Sequence, residues 1–232
     1  MESRTCEVDG TALHVGVTGS GPDVVVLTGG PGCVQYLELD SISPSGHRAW
    51  YPEPRGVGRS QGGPHTMERA VADLEAVRQS VGLDHWIVMG HSWGCDLAIR
   101  YAVEHPDVVI AVIGIAGRGF QRDVVWSRDY EGRQSSEPVV EIDWNPDVYS
   151  ALSESFTEWI HRADLWRRVA DCPVPMRLIA AGDDIRPSWP LEQLASLAAH
   201  GTFEVVPGVP HDFWALNPET WLATVHAALA QA

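Results

Sequence analysis

The chain has 232 residues, 44% hydrophobic and 20% charged, enough apolar material for one domain with a substantial core. Its formal net charge of −15 argues against nucleic acid or an anionic membrane surface as a partner. All 16 basic residues are arginine, so a Schiff-base lysine, a pyridoxal phosphate anchor, a P-loop lysine and Ser–Lys catalysis are excluded together.

The N-terminus, Met1-Glu2-Ser3-Arg4, lacks the basic, apolar and small-residue succession of a signal peptide, and no apolar run is long enough to span a bilayer. Cys6, Cys33, Cys95 and Cys172 are scattered without metal-ligand spacing. Single buried thiols in a cytoplasmic, reducing setting are the expectation, with no disulfide, metal or cofactor.

In chain order, Thr5–Val8, the Asp9-Gly10 turn and Thr11–Val17 read as a hairpin, since Asp-Gly suits a type I′ turn. Val24–Leu27 is a short apolar run of the kind buried on both faces of a parallel sheet. It feeds Thr28-Gly29-Gly30-Pro31-Gly32, a loop that has no dinucleotide fingerprint and can bring bare backbone N–H groups to a reaction centre. Ala49–Tyr51 is a further strand, followed by the turn-dense Glu53–Ser60. Thr66 caps a helix carrying Ala70, Leu74, Val77 and Val81, which Gly82 ends.

Next comes the stretch that organises the chain, Trp86-Ile87-Val88-Met89-Gly90-His91-Ser92-Trp93-Gly94-Cys95. An apolar strand turns through G-x-S-x-G into a helix running to Glu104, which is the pattern of a nucleophile elbow. The glycines are required because the turn is so tight that side chains there would meet neighbouring backbone. The following helix points free N–H groups at the place where a reacting oxygen would gain charge.

Val108–Ile115 is another strand. From Gly117 to about Asp171 the pattern changes to charges and scattered aromatics, among them Trp126, Tyr130, Trp144, Tyr149, Phe156 and Trp159. Ser153–Trp166 reads as an amphipathic helix and 133–146 as loop, the whole as an inserted lid. The sheet resumes with Met176–Ala180, then Asp183-Asp184, a helix through Leu191, Leu194 and Leu197, and the strand Thr202–Val206. Pro207-Gly208-Val209-Pro210-His211 follows, and Asn217-Pro218 starts the last helix. The domain expectation is a core of 1–116 and 171–232 with a lid at 117–170. Strands alternating with helices imply a mostly parallel sheet covered on both faces.

A serine hydroxyl needs a histidine to take its proton and a carboxylate to hold that histidine. The candidates fall at successive strand ends in the order Ser92, then Asp183 or Asp184, then His211. Seven other histidines (His14, His47, His65, His105, His161, His200, His226) read as surface or turn residues, and His91 as structural, facing away from the serine.

The chain resembles the proline iminopeptidase-like branch of the α/β-hydrolase fold. The resemblance rests on Gly29-Gly30-Pro31-Gly32, Arg55-Gly56-Val57-Gly58-Arg59-Ser60, Gly90-His91-Ser92-Trp93-Gly94, Asp184-Ile185-Arg186-Pro187 and Pro207-Gly208-x-x-His211. It implies Ser92 as nucleophile, His211 as general base then acid, and the backbone N–H groups of Gly30 and Trp93 as an oxyanion hole. The family's usual G-x-x-D fits Asp184 if Ala181 stands in the glycine's place, and Ile-Arg-Pro after it favours Asp184 over Asp183. Two departures stand out: Thr28 replaces the usual histidine before the paired glycines, and the lid is short. Glu131, Glu137 and Glu141 are available there to bind a substrate ammonium group.

These features imply a serine hydrolase acting without cofactor on a small ester or amide. Acyl transfer to another acceptor, or a non-hydrolytic binding role on the same fold, remain as alternatives. Oligomeric state is left open.

Overall fold

The computed structural model describes residues 1–232. Eight strands form one sheet in the order β1-β2-β4-β3-β5-β6-β7-β8: β1 (Glu2–Val8), β2 (Thr11–Gly19), β3 (Asp23–Leu27), β4 (Arg48–Pro52), β5 (Trp86–His91), β6 (Val109–Ile115), β7 (Met176–Ala181) and β8 (Gly201–Val206). The β1–β2 and β2–β4 pairs are antiparallel and the rest parallel. Asp9 and Gly10, at φ of 49° and 73°, make the expected type I′ turn.

Alternation along the central strands splits the core between two faces. Val25, Leu27 and Val88 face the larger cluster, against α1 (Met67–Ser80), α2 (Trp93–Glu104), α4 (Pro146–Ile160), α5 (Leu165–Asp171) and α6 (Trp189–Leu197). Val24, Val26, Ile87 and Met89 face the other, under α7 (Phe213–Leu216) and α8 (Pro218–Leu229). Such runs are buried on both sides, which is why they read as continuous apolar stretches. No helix is long and apolar enough to cross a membrane.

The sheet reverses its order of growth at β3. From β3 the chain adds β4 on one side, then crosses to add β5 on the other. The crevice outside the carboxyl ends of β3 and β5 is therefore the switch point, where α/β sheets place ligands. Gly29–Gly32 and Ser92 both leave from it.

Between β6 and β7 lie α3 (Val124–Arg133), α4 and α5. Here the structure corrects the sequence reading. The helix expected over Ser153–Trp166 is two helices: α4 starts earlier, at Pro146, and ends at Ile160, and α5 starts at Leu165. Asn145 sets the start, its Oδ1 accepting the N–H groups of Asp147 and Val148 at 3.0 and 3.4 Å, with Pro146 in the first helical position. The helix α3, which includes Arg133 from the stretch read as loop, was not anticipated. Asn217 precedes α8 as expected but makes no side-chain capping bond.

Candidate active site

Steric contact places Ser92. With β5 ending at His91 and α2 starting at Trp93, Ser92 is the entire turn, at φ 55° and ψ −126°, where a residue bearing a side chain is strained. A Cβ on Gly90 would strike the Gly94 carbonyl, and one on Gly94 would strike the carbonyls of Leu27 and Thr28, the latter at 2.6 Å. The glycines thus let α2 press its first turn onto the end of β3. The Ser92 N–H donates to the Ile115 carbonyl at 2.8 Å, fixing the turn to the end of β6.

The glycine loop lies directly against this turn. A Cβ on Gly29 would sit 2.7 Å from Ser92 Cβ, and Gly30 holds φ 124°, with no room for a side chain beside Cys33. Thr28, in place of the expected histidine, donates its hydroxyl to the Val34 carbonyl at 2.9 Å and ties the loop back on itself. Trp93 N–H belongs to the first helical turn, where intrahelical acceptors do not exist. The Trp93 side chain is buried and lines a cavity with Thr28, Leu74 and Asp73, and its Nε1 has no partner.

The same ladder continues across the next strand ends. Gly182 N–H donates to the Val206 carbonyl at 2.8 Å and Asp183 N–H to the Val209 carbonyl at 2.9 Å. These bonds set the turn after β7 beside the loop after β8. His211 Nδ1 and Asp184 Oδ2 are 2.5 Å apart, both residues buried, while Asp183 is exposed and does not reach the ring. A carboxylate only accepts, so Nδ1 carries the hydrogen and Nε2 is left as the basic nitrogen. Asp184 Oδ1 accepts the Arg186 N–H at 2.9 Å and its Nη1 at 3.0 Å. Burial alone would raise the Asp184 pKa; the His211 and Arg186 charges and hydrogen bonds outweigh it and hold it at about 2. Arg186 also pairs with Glu137 from the segment between β6 and β7.

Ser92 and His211 are not hydrogen-bonded to each other, but a relay that sequence reasoning missed binds their loops together. Gly29 N–H donates to the Tyr36 hydroxyl at 2.9 Å, which donates to His91 Nδ1 at 2.6 Å. His91 Nε2–H then donates to the His211 carbonyl at 3.0 Å. Burial, reinforced by the charge of His211, pushes His91 down to about 4, so it stays neutral and keeps this tautomer near pH 7. His91, read from the sequence as structural, joins three loops. Tyr36 carried no sequence signal, because it sits in a loop without periodicity. Of the histidines expected at the surface, His14 is buried, with Nε2 at 3.3 Å from Glu38.

The cysteines are free; Cys6, Cys95 and Cys172 are buried, while Cys33 beside Gly30 is half-buried. His91, His211 and Asp212 bring donor atoms within 4.8 Å of one another. Both nitrogens of His91 and Nδ1 of His211 are committed to the bonds above. One imidazole nitrogen and one carboxylate are fewer than the three or four protein ligands of a typical zinc site.

A family model described as alpha/beta hydrolase fold matches residues 22–148, more than half of the chain. The chain belongs to the α/β-hydrolase fold family. It is 31% identical over 122 residues to Epoxide hydrolase 2 of Siraitia grosvenorii, covering 50% of this chain and 39% of that one. It is 34% identical over 121 residues to the proline iminopeptidase of Neisseria meningitidis, covering 48% and 38%. These matches thus span well under half the length of the relatives. Among solved structures, the proline iminopeptidase of Mycobacterium smegmatis superposes with a TM-score of 0.74 at 19% identity, over 99% of this chain and 98% of that one. At that identity the likeness is one of fold.

Proposed function

We propose that this α/β hydrolase is a cofactor-independent serine hydrolase that cleaves a small ester or amide through an acyl-enzyme. The observation that carries the reading is the buried His211–Asp184 pair at 2.5 Å, set one loop away from a serine in a strained strand-to-helix turn. In the proposed cycle Ser92 Oγ attacks the substrate carbonyl carbon as its proton passes to His211 Nε2. The oxyanion takes hydrogen bonds from the N–H groups of Gly30 and Trp93, one such donor being worth about 3 kcal/mol in the transition state. Collapse of the tetrahedral adduct expels the alcohol or amine, which takes the proton from His211. Water then attacks the acyl carbon, gives its proton to the same nitrogen, and releases the acid and Ser92. Asp184 stays ionised throughout and orients the ring. Catalytic hydrogen bonds of this kind commonly tighten only with substrate bound, so the reading does not require a Ser92–His211 bond beforehand.

The residues 117–170 act, in this reading, as a lid over the crevice, tied to the turn after β7 by Glu137 and Arg186. That pairing bears on substrate. Glu137 is already neutralised by Arg186, and Glu131 and Glu141 are exposed, so an ester suits the site better than the free amine of an N-terminal proline.

Hydrolysis of proline 4-nitroanilide and of 4-nitrophenyl acyl esters, side by side by wild type and Ser92→Ala, tests both points. Ester turnover that vanishes in Ser92→Ala is expected. Prolyl-amide turnover with a KM raised by Glu137→Gln would make the protein an aminopeptidase instead. Equal activity in wild type and Ser92→Ala would remove Ser92 from the chemistry.

A further inference from the structure

Although the chain carries a net charge of −15, one pocket collects cations. It has a volume of about 570 Å³ and lies between the loop after β6 and the ends of α4 and α5, with three cations, Arg118, Arg122 and Arg162, against one carboxylate, Asp123, and with Phe120, Trp166 and Trp189 among its walls. Arg162 is paired with Asp164 at 3.3 Å. The side chains of Arg118 and Arg122 make no hydrogen bond or ion pair with any protein group; their guanidinium carbons lie 4.7 Å over the Phe156 ring and 5.5 Å over the Trp126 ring. Elsewhere the well-buried arginines Arg55, Arg78 and Arg100 each meet a carboxylate.

The two carboxylates nearby do not fill that role. Asp96 is fully buried, accepts the Gly119 N–H at 3.1 Å, and is pushed by burial to about 7. Asp123 spends Oδ1 on capping the Trp126 N–H at 2.7 Å. Burial lowers the Arg118 pKa, and the like charge of Arg122 adds to this against the pull of Asp96. A guanidinium taken partly out of water without an acceptor is costly, and its fork geometry matches an oxyanion. Arg118 also follows closely in the chain on the proposed chemistry: the Ile115 carbonyl holds the Ser92 N–H, and the Arg118 backbone is three residues further on, at most about 11 Å of extended chain.

We propose that this pocket binds an oxyanion, a carboxylate or phosphate carried on a small apolar or ring-bearing molecule, through Arg118 and Arg122. Resting on the hydrolase reading above, it selects esters whose acyl or alcohol part bears that anion. The half-buried rings of Trp166 and Trp189 receive the apolar body, and the two arginines fix its charged end. Such a substrate is opposite in charge to an N-terminal amine.

Calorimetric titration of the whole chain with phenylacetate, phenyl phosphate and neutral phenylacetamide tests the pocket without any turnover. Both oxyanions are expected to bind at least ~10-fold more tightly than the amide, and the tighter of the two identifies the natural anion. Arg118→Gln and Arg122→Gln should each remove most of that advantage, and Arg118→Lys should keep part of it. Arg122 is exposed, so its variant serves if Arg118→Gln does not fold. Phenylacetamide binding as well as phenylacetate, no oxyanion binding at millimolar concentration, or an advantage that survives both substitutions would overturn the pocket. In a second arm, kcat/KM for the 4-nitrophenyl half-ester of glutarate is compared with that of its methyl-capped ester. The ratio should exceed one and fall about tenfold in Arg118→Gln. A ratio near one that Arg118→Gln leaves unmoved would overturn selection by this pocket. Turnover of neither ester would overturn the hydrolase reading, while the titration alone still decides the pocket.

Discussion

Helices α2 and α3 each follow a strand of the same sheet and are of similar length, yet they are held in opposite ways. Ten of the twelve residues of α2 are buried, against one of ten in α3, Trp126. Backbone-on-backbone contact at Gly90 and Gly94 clamps α2 to the sheet. A few side chains hold α3 and its surroundings: Trp126 donates Nε1–H to the Pro187 carbonyl at 3.0 Å and stacks on Tyr130, and Glu137 nearby pairs with Arg186. The difference separates two kinds of hold. Groups that must be placed to a fraction of an ångström need a packed element such as the elbow, whereas a segment held by a few side chains can vary its residues freely.

The largest effect belongs to the elbow. Ser92→Ala and His211→Ala should each lower kcat for a 4-nitrophenyl ester by at least about 10⁴-fold, because the two act as a unit. A drop of tenfold or less in either would break the assignment of chemistry to this side.

The second prediction concerns stability. Gly94→Ala forces a methyl onto the carbonyls of Leu27 and Thr28 and should cost about 3 kcal/mol or more in urea unfolding, with loss of activity. A cost under 1 kcal/mol would show that the clamp yields.

A pH measurement sharpens the elbow further. The folded pKa of His91 is lowered to about 4, so as pH falls below about 6.5 the unfolded chain gains a proton that the folded chain refuses, and stability drops. The folded pKa of Asp96 is raised to about 7, so as pH rises above about 4 the unfolded chain loses a proton that the folded chain keeps, and stability again drops. Within pH 4–6.5 the two slopes oppose, each on the order of 3 kcal/mol. Urea midpoints at pH 4.5 and 6.5 should therefore tilt in opposite senses: upward with pH in Asp96→Asn, downward in His91→Gln. Variants that both run parallel to wild type would contradict the pKa shifts.

The smallest effect lies in α3. Gly132 has open space around its Cα, so Gly132→Ala should stabilise by roughly 0.5–1 kcal/mol through helix propensity alone. Destabilisation there would mean that α3 is packed more tightly than its exposure indicates.

The same division explains what could be read from the sequence. Gly90, Ser92 and Gly94 were legible because their roles are set by local backbone geometry, and the strands around them because burial on both faces leaves unbroken apolar runs. Asp184 could be preferred to Asp183 from the residues that follow it, and the structure places it at His211. By contrast α3 has one buried residue and a glycine near its end, so no periodicity marks it. The start of α4 was legible in principle: Asn145-Pro146 is the signal that located α8 at Asn217-Pro218, but the charges around it obscured the pattern. The bond of Tyr36 to His91 and the pairing of Glu137 with Arg186 join residues 55 and 49 positions apart, beyond the reach of any local pattern.

If Ser92 forms a covalent bond with substrate, a fluorophosphonate probe will capture it on that residue. Intact-mass measurement after treatment of wild type, Ser92→Ala and His211→Ala should show a single adduct on wild type, mapped to the Ser92 peptide. Ser92→Ala should carry none, and His211→Ala should react far more slowly. An adduct of equal mass and rate on Ser92→Ala, or on a peptide lacking residue 92 in wild type, would remove Ser92 as the nucleophile.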